Sequence, residues 1–307
     1  MLVTKTGKFR IGFREVDVFF DNFDSEVTWA AKHDFATIDI VTNARTMRPA
    51  ASKVPVILDN GLKVGSIDLP SPERNDIISG SKTKQEKAIA VCKTLMTDCA
   101  EALRKHPDGK NNPLIFWTMM IPEDPSLPKK DNYGHMLEGY GQLNPLLADL
   151  DAKLVVEGWP GPGCVVCTPE GYRTYLRECG SDRVGVHYDP SHLIRMGIDP
   201  LRFLIEFGKQ VYHAHAKDTE LLTENAYEYG WELPAIFAKK IRYGSHAWRY
   251  TIPGHGQMRW SEAFRILESC GFNGSFCIEL EDENFNIGDG DGEKLGLILG
   301  GNYLSGC

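Results

Sequence analysis

Lys153-Leu-Val-Val-Glu157, Val184-Gly-Val-His-Tyr188 and Val211-Tyr-His-Ala-His-Ala216 are short apolar runs, separated by two longer amphipathic ones, Pro169–Cys179 and Pro200–Phe207. Short runs rich in valine read as buried strands, and the amphipathic stretches between them as helices. Thr168 before Pro169 and Asp199 before Pro200 each place a capping oxygen ahead of a proline suited to the first helical turn. Strand, helix, strand in this repeat builds a parallel sheet.

The same alternation extends in both directions. Upstream lie candidate strands Phe9–Phe13, Phe35–Ile40, Lys63–Leu69 and Leu114–Ile121, and downstream Ser275–Leu280. Further helical segments are Lys84–Lys105, Tyr133–Leu150 and Ser261–Ser269, the last with Ser261 as its cap and Glu262 behind it. Eight strand units in 307 residues predict the α/β class and a single (β/α)8 TIM barrel, not an open doubly wound sheet. No G-x-G-x-x-G follows the first strand, so a dinucleotide fold lacks its fingerprint. No linker divides residues 1–307, which read as one domain with two additions. One is a long insertion at about 219–250 holding Tyr227, Tyr229, Trp231, Phe237, Tyr243, Trp248 and Tyr250. It reads either as a substrate-shaping lid or as a surface helix with its packing aromatics. The other is a Gly-rich tail from about Asn284, either wrapped on the barrel or loosely ordered.

Composition narrows the class. A chain that is 42% hydrophobic and 25% charged is globular, and a net charge of −8 with scattered acids argues against a nucleic-acid partner. No stretch approaches the roughly 20 apolar residues of a membrane helix, and Met1–Gly12 has no signal-like apolar run. The expected location is cytoplasmic, with no membrane partner. The eight cysteines are dispersed and read as reduced thiols. Cys164 and Cys167 have C-x-x-C spacing, but a structural zinc site needs a second pair, so they read as loop thiols.

In such barrels chemistry sits at the carboxyl ends of the strands. The fifth candidate strand stops at Glu157, the sixth is followed by Asp189, the seventh continues His213-Ala-His215-Ala-Lys217-Asp218, and the eighth reaches Glu279. A carboxylate there is costly to bury unless it is paired or bound to a cation. Three carboxylates and one imidazole converging on a divalent ion explain the set most simply. Alternation along a strand places His213, His215 and Lys217 on one face. His215 is nearest the strand end and reads as the ligand; His213 sits a layer deeper, and His187 reads as core.

These residues carry a resemblance. The chain resembles the xylose-isomerase-like barrel superfamily, and within it the bacterial sugar phosphate isomerase/epimerase group, which includes inosose dehydratases and ketose 3-epimerases. The matching pieces are Val155-Val-Glu157, Asp189-Pro-Ser-His192, His213-Ala-His-Ala-Lys-Asp218, Pro253-Gly-His-Gly256 followed by Trp260, Ile278-Glu279, and the early Phe35-Ala-Thr-Ile-Asp-Ile40. The resemblance implies Glu157, Asp189, His215 and Glu279 as metal ligands. It implies that His192 touches the substrate, that Lys217 and Asp218 orient it or support the ligands, and that Pro253–Gly256 is a loop over the pocket with His255 as an alternative proton donor. Trp159 could stack on a sugar face or pack the wall. Two departures bear on the substrate: Asp39 stands where many relatives have Glu, and Gly-Trp-Pro-Gly follows Glu157.

The chemistry expected is proton abstraction next to a carbonyl of a sugar or keto-sugar, with Glu157 and Glu279 flanking the substrate. One divalent ion would polarise the carbonyl, manganese (Mn2+) being favoured and Zn2+, Co2+ or Mg2+ allowed. The alternative is a metal-dependent lyase or dehydratase on a keto-sugar, cyclitol or glycoside. Minor alternatives are a nuclease of the endonuclease-four kind and a non-catalytic sugar binder. The partner expected is a small sugar-like molecule, and the resemblance allows a homo-oligomer. Arg195, Arg242 and Arg249 are the candidates for holding a phosphate.

Overall fold

A computed structural model of the chain describes residues 1–16, 20–42, 48–231, 236–286, 288 and 290–307. Its strands are β1 (Arg10–Arg14), β2 (Thr37–Ile40), β3 (Lys63–Asp68), β4 (Leu114–Met119), β5 (Ala152–Glu157), β6 (Val184–Tyr188), β7 (Val211–Ala216), β8 (Asp218–Leu221), β9 (Trp248–Thr251) and β10 (Ser275–Ile278). Eight close into a barrel in the order β1-β10-β7-β6-β5-β4-β3-β2, while β8 and β9 form an antiparallel two-stranded sheet. Every candidate strand of the sequence has its counterpart in the barrel, and β6 and β7 have the expected bounds. Among the described residues, no helix is long and apolar enough to cross a membrane.

The chain falls into two compact units. One comprises Met1–Thr37, Asp189–Lys209 and Ala214–Cys307; the other comprises Ile38–Tyr188 and Gln210–His213. In the first, Phe9, Phe264, Phe272 and Phe276 pack in tilted and edge-to-face pairs, with Phe264 and Phe276 ring centres 4.7 Å apart. Each such burial stabilises by about 1.5–3 kcal/mol. In the second, Ile115, Trp117 and Val155 pack with Met119 and Tyr212, while parallel pairing sets Glu157 opposite both Met119 and His187.

The expected caps at the first two helices form. Thr168 accepts from the Gly171 amide at 3.3 Å, and Asp199 accepts from Leu201 and Arg202 at 2.8 and 3.1 Å. Other local expectations need correction. Tyr133–Leu150 is not one helix but two, Lys129–Gly141 and Asn144–Asp149. Pro145 lacks an amide hydrogen, and its ring would strike the carbonyl four residues earlier, so it can only start a helix. Ser261 is not a cap. The helix starts at Trp260, whose buried indole donates to Asp218 at 3.2 Å, and that anchor fixes the first turn.

The tail is an ordered 15-residue helix, Asp291–Ser305, in the same unit as β1 and β10. Its glycines allow close approach. A Cβ on Gly300 would lie 3.1 Å from Ile278 and from Pro253, and one on Gly301 would lie 3.0 Å from Leu2. The insertion holds a hairpin and a short helix. β8 and β9 pair from Asp218↔Thr251 to Leu221↔Trp248, and a helix spans Thr223–Tyr229. Tyr227 and Phe237 are 88% and 97% exposed, whereas Tyr250 is buried. Residues 232–235 of the insertion lie outside the described residues.

Candidate active site

β7 runs into β8 through Lys217, a fully buried lysine. A buried ammonium must be paired. Lys217 Nζ donates to Glu279 Oε2 and, at 2.9 Å, to Glu281 Oε2. It also lies 3.4 Å from Asp189 Oδ2 and 4.4 Å from the centre of the Tyr250 ring. Burial alone would lower the lysine's pKa, but Glu279, Glu281 and Asp189 outweigh it and hold the ammonium well above the usual range. Arg14 stands 3.7 Å from Glu279 Oε1, and His215 Nδ1 stands 3.5 Å from Glu279 Oε2.

Asp189 faces two ways. Its Oδ1 accepts from the Ser191 amide at 2.9 Å, capping the helix Pro190–Arg195. Its Oδ2 is buried, 3.4 Å from both Lys217 Nζ and His192 Nε2, and has no hydrogen-bond donor among the described residues. The other His192 nitrogen, Nδ1, is hydrogen-bonded to the Tyr250 hydroxyl at 2.7 Å. Asp189, His192 and Glu279 offer ligand atoms within 4.8 Å of one another. Three carboxylates face Lys217 and Arg14, so negative charge is in excess. Carboxylate oxygens with imidazole nitrogen suit a hard or borderline divalent cation.

Asp218 has a different role. It is fully buried and collects four donors: the amides of Thr219 (2.8 Å), Met258 (2.9 Å) and Gly254 (3.2 Å), and the Trp260 indole (3.2 Å). Burial pushes its carboxyl above the usual range, and these donors pull the other way. It thereby ties Pro253–Gly256 to the end of β7. Gly254 has φ +92°, a left-handed conformation natural to glycine, and a Cβ on Gly256 would collide with Asp218 Oδ1. His255 is exposed on this loop with its ring 5.8 Å from that of Phe285, and among the described residues it makes no hydrogen bond to the Lys217 cluster.

In the second unit, Glu157 is buried at the end of β5, and it and His187 offer ligand atoms within 4.8 Å of each other. The His187 ring packs 5.6 Å from Trp117 and 5.1 Å from His213. Asp39 accepts from His213 Nε2 at 2.9 Å and from the Ser66 amide at 2.6 Å. Trp159 is half-buried, its ring lying across Gly161.

The structure therefore brings Asp189, His192, His215, Lys217 and Glu279 together in the first unit, with Glu157 and Trp159 in the second. Sequence reading missed Glu281, Arg14 and the part played by Tyr250. Glu281 lies past the end of β10 at Ile278, where strand alternation no longer tells which side a residue faces. Of the phosphate candidates, Arg249 pairs with Glu220 at 2.7 Å, Arg242 donates to the Asn286 carbonyl at 2.9 Å, and Arg195 lies 4.8 Å from the Trp248 ring centre.

Residues 27–297 match the family described as Xylose isomerase-like TIM barrel. The chain belongs to this family. The inosose dehydratase of Geobacillus thermodenitrificans (strain NG80-2) is 25% identical over 166 residues, 52% of this chain and 53% of that one. The chain spans a third to a half of the length of the curated relatives it matches, from 34% to 53% for the first two. Solved structures resemble this xylose isomerase-like barrel over nearly its whole length. D-psicose 3-epimerase in the presence of D-fructose aligns with TM-score 0.68 and 15% identity, over 97% of this chain and 100% of that one. The IOLI protein with a bound zinc atom aligns with TM-score 0.66 and 15% identity, over 97% and 96%.

Proposed function

We propose that this chain is a divalent-metal-dependent isomerase or epimerase acting on a small sugar or keto-sugar by proton abstraction next to a carbonyl. The observation that carries the reading is the Lys217 cluster, where buried Asp189 Oδ2 lacks a hydrogen-bond donor among the described residues and carboxylates outnumber cations. In the barrel order β5, β6, β7 and β10 are neighbours. Glu157, Asp189, His215 and Glu279 at their ends are assigned as ligands of one cation, with manganese favoured and zinc second. When bound, that ion would polarise the substrate carbonyl. Glu157 and Glu279 stand on strands separated by two others, so one removes a proton and the other returns it on the opposite face. Lys217, held charged, donates to a substrate oxygen, and His192 positions a neighbouring hydroxyl. Trp159 offers its ring to a sugar face.

A lyase is the second reading. Inosose dehydratase relatives favour it, as does the His192–Tyr250 pair, which could protonate a departing hydroxyl.

Metal analysis of the purified protein beside His215→Ala tests the centre of the reading. The wild type is expected to hold about one equivalent of manganese or zinc, and the variant to lose most of it. A wild type that binds none of manganese, zinc, cobalt or magnesium refutes the assignment. Incubating keto-sugars and inososes in D2O then separates the reactions. Deuterium entering beside the carbonyl without water loss marks an epimerase or isomerase, and loss of water marks a dehydratase.

A further inference from the structure

Arg74 lies on the segment that leaves β3, in the second unit, and the function above does not use it. Its backbone is fixed on both sides. The Arg74 amide donates to the Pro70 carbonyl at 2.8 Å, and the Arg74 carbonyl accepts from the Tyr140 hydroxyl at 3.0 Å. Tyr140 is itself buried, with its hydroxyl 2.7 Å from that of Thr118. So anchored, the side chain reaches over β4. Its guanidinium carbon is 5.7 Å from the centre of the Trp117 ring, and that ring lies 5.6 Å from His187, the register partner of Glu157.

The guanidinium is nearly closed off from water yet scarcely paired. The Arg74 side chain is 15% exposed, and that of Asp68, at the end of β3, is 7% exposed. Their nearest approach, Nη1 to Asp68 Oδ2, is 3.8 Å. A charge-assisted hydrogen bond of this kind closes to about 2.7–2.9 Å. Arg74 Nε is buried with no hydrogen-bond partner among the described residues. Asp68 Oδ1 accepts from the Thr42 amide at 2.6 Å, whereas Oδ2 accepts no hydrogen bond among the described residues. A rigid fork of donors and a spare carboxylate oxygen thus stand side by side. Buried polar groups in folded proteins are nearly all satisfied, so this pair is built for a ligand that both accepts and donates.

Hydroxyl groups do both. We propose that Arg74 and Asp68 form a subsite for adjacent hydroxyls of an uncharged polyol, the guanidinium donating to one oxygen and Asp68 Oδ2 accepting from the other. This rests on the sugar reading above and deepens it, by assigning the end of the substrate remote from the carbonyl. Register sets Asp68 beside Trp117 and Trp117 beside Val155, two residues before Glu157. β3 and β5 are therefore two strand spacings apart, about 10 Å. Asp68 and Glu157 address different ends of a molecule of hexose size, not one reacting centre. The pair is also selective. One cation beside one carboxylate has no net charge to draw in a phosphate, which would meet Asp68 as a like charge. The arrangement favours an unphosphorylated sugar or cyclitol over its phosphate ester.

The test is calorimetric titration of full-length protein, incubated with manganese, using D-fructose, 2-keto-myo-inositol and D-fructose 6-phosphate as probes. At least one uncharged probe is expected to bind the wild type more tightly than the phosphate ester. Arg74→Met should weaken that probe by about 10- to 100-fold, the loss that follows removal of a charged donor. Arg74→Lys keeps the charge but not the fork, and should stay at least about fivefold weaker than wild type. Asp68→Asn, which keeps the side chain's shape, should narrow the preference for the uncharged probe. Metal content should match wild type in all three, since neither residue is an assigned ligand, and thermal melting checks that each is folded. A folded Arg74 variant that binds the uncharged probe within roughly threefold of wild type overturns the subsite and leaves the sugar reading standing. An unchanged preference in Asp68→Asn overturns it too, even where the arginine variants fail to fold. Tighter wild-type binding of D-fructose 6-phosphate, lost in Arg74→Met, would make this an anion site and refute the hydroxyl assignment. A wild type that binds none of the three probes overturns the sugar reading and the subsite together.

Discussion

Glu279→Gln is expected to lower turnover of a keto-sugar substrate by about 10²- to 10⁴-fold, the contribution typical of one positioned acid or base. The amide keeps the shape of the side chain but cannot take up a proton, and it is a weaker ligand for a hard cation. Folding should survive the change. Lys217 loses one charged partner but keeps Glu281 at 2.9 Å and Asp189 at 3.4 Å, so its ammonium is not stranded. The loss of one charge-assisted hydrogen bond should destabilise by about 1.5–3 kcal/mol. Glu281→Gln is the control. Its side chain is 33% exposed and, among the described residues, joins the cluster through Lys217 Nζ, so turnover should fall by no more than roughly tenfold. The decisive measurement is kcat beside bound-metal content for both variants. A metal-loaded Glu279→Gln protein that turns over within tenfold of wild type would remove Glu279 from the chemistry.

The barrel was legible because strand and helix periodicities differ and each repeat was punctuated. Thr168-Pro169 and Asp199-Pro200 mark helix starts by local chemistry alone, and both act as read. Ser261 failed as a cap because the signal that won is tertiary: Trp260 is tied to Asp218, 42 residues away in sequence. The tail was read from its glycine content, which fits looseness and tight packing equally. Only the proximity of Leu2, Pro253 and Ile278 decides for packing. At the site, His213, His215 and Lys217 are all buried, but so are Ala214 and Ala216 between them, so burial alone does not test the alternation read along β7. That alternation could not show that His213 is held by Asp39, whose acidic side chain stood out as a departure at the end of β2. Nor could it reveal Tyr250, which approaches His192 on a hairpin whose pairing is set by long-range contacts.

Asp218→Ala should be among the most destabilising single changes in this chain, although Asp218 lies outside the Lys217 cluster. Its two oxygens satisfy three backbone amides and one indole in a place closed to water. Each buried donor left without a partner costs about 1–3 kcal/mol. Water entering the space would recover part of that, so the expected loss is about 3–5 kcal/mol, or a fall in Tm of roughly 10 °C. Asp218→Asn separates hydrogen bonding from charge. Its carbonyl can still accept from Thr219 and Met258, but its amino group would face the donors on Gly254 and Trp260. About half of the alanine effect should therefore remain. Chemical denaturation measures both, as a shift in midpoint at constant slope. A change below about 1 kcal/mol for alanine would show that the donors find other partners and that Pro253–Gly256 is not held by this carboxylate. Metal content supplies the independent reading. Because Asp218 spends its oxygens on the loop, folded Asp218→Asn should keep its cation while Gly254 and the Trp260 helix loosen. Loss of the cation in that variant would place Asp218 among the groups that support the ligands.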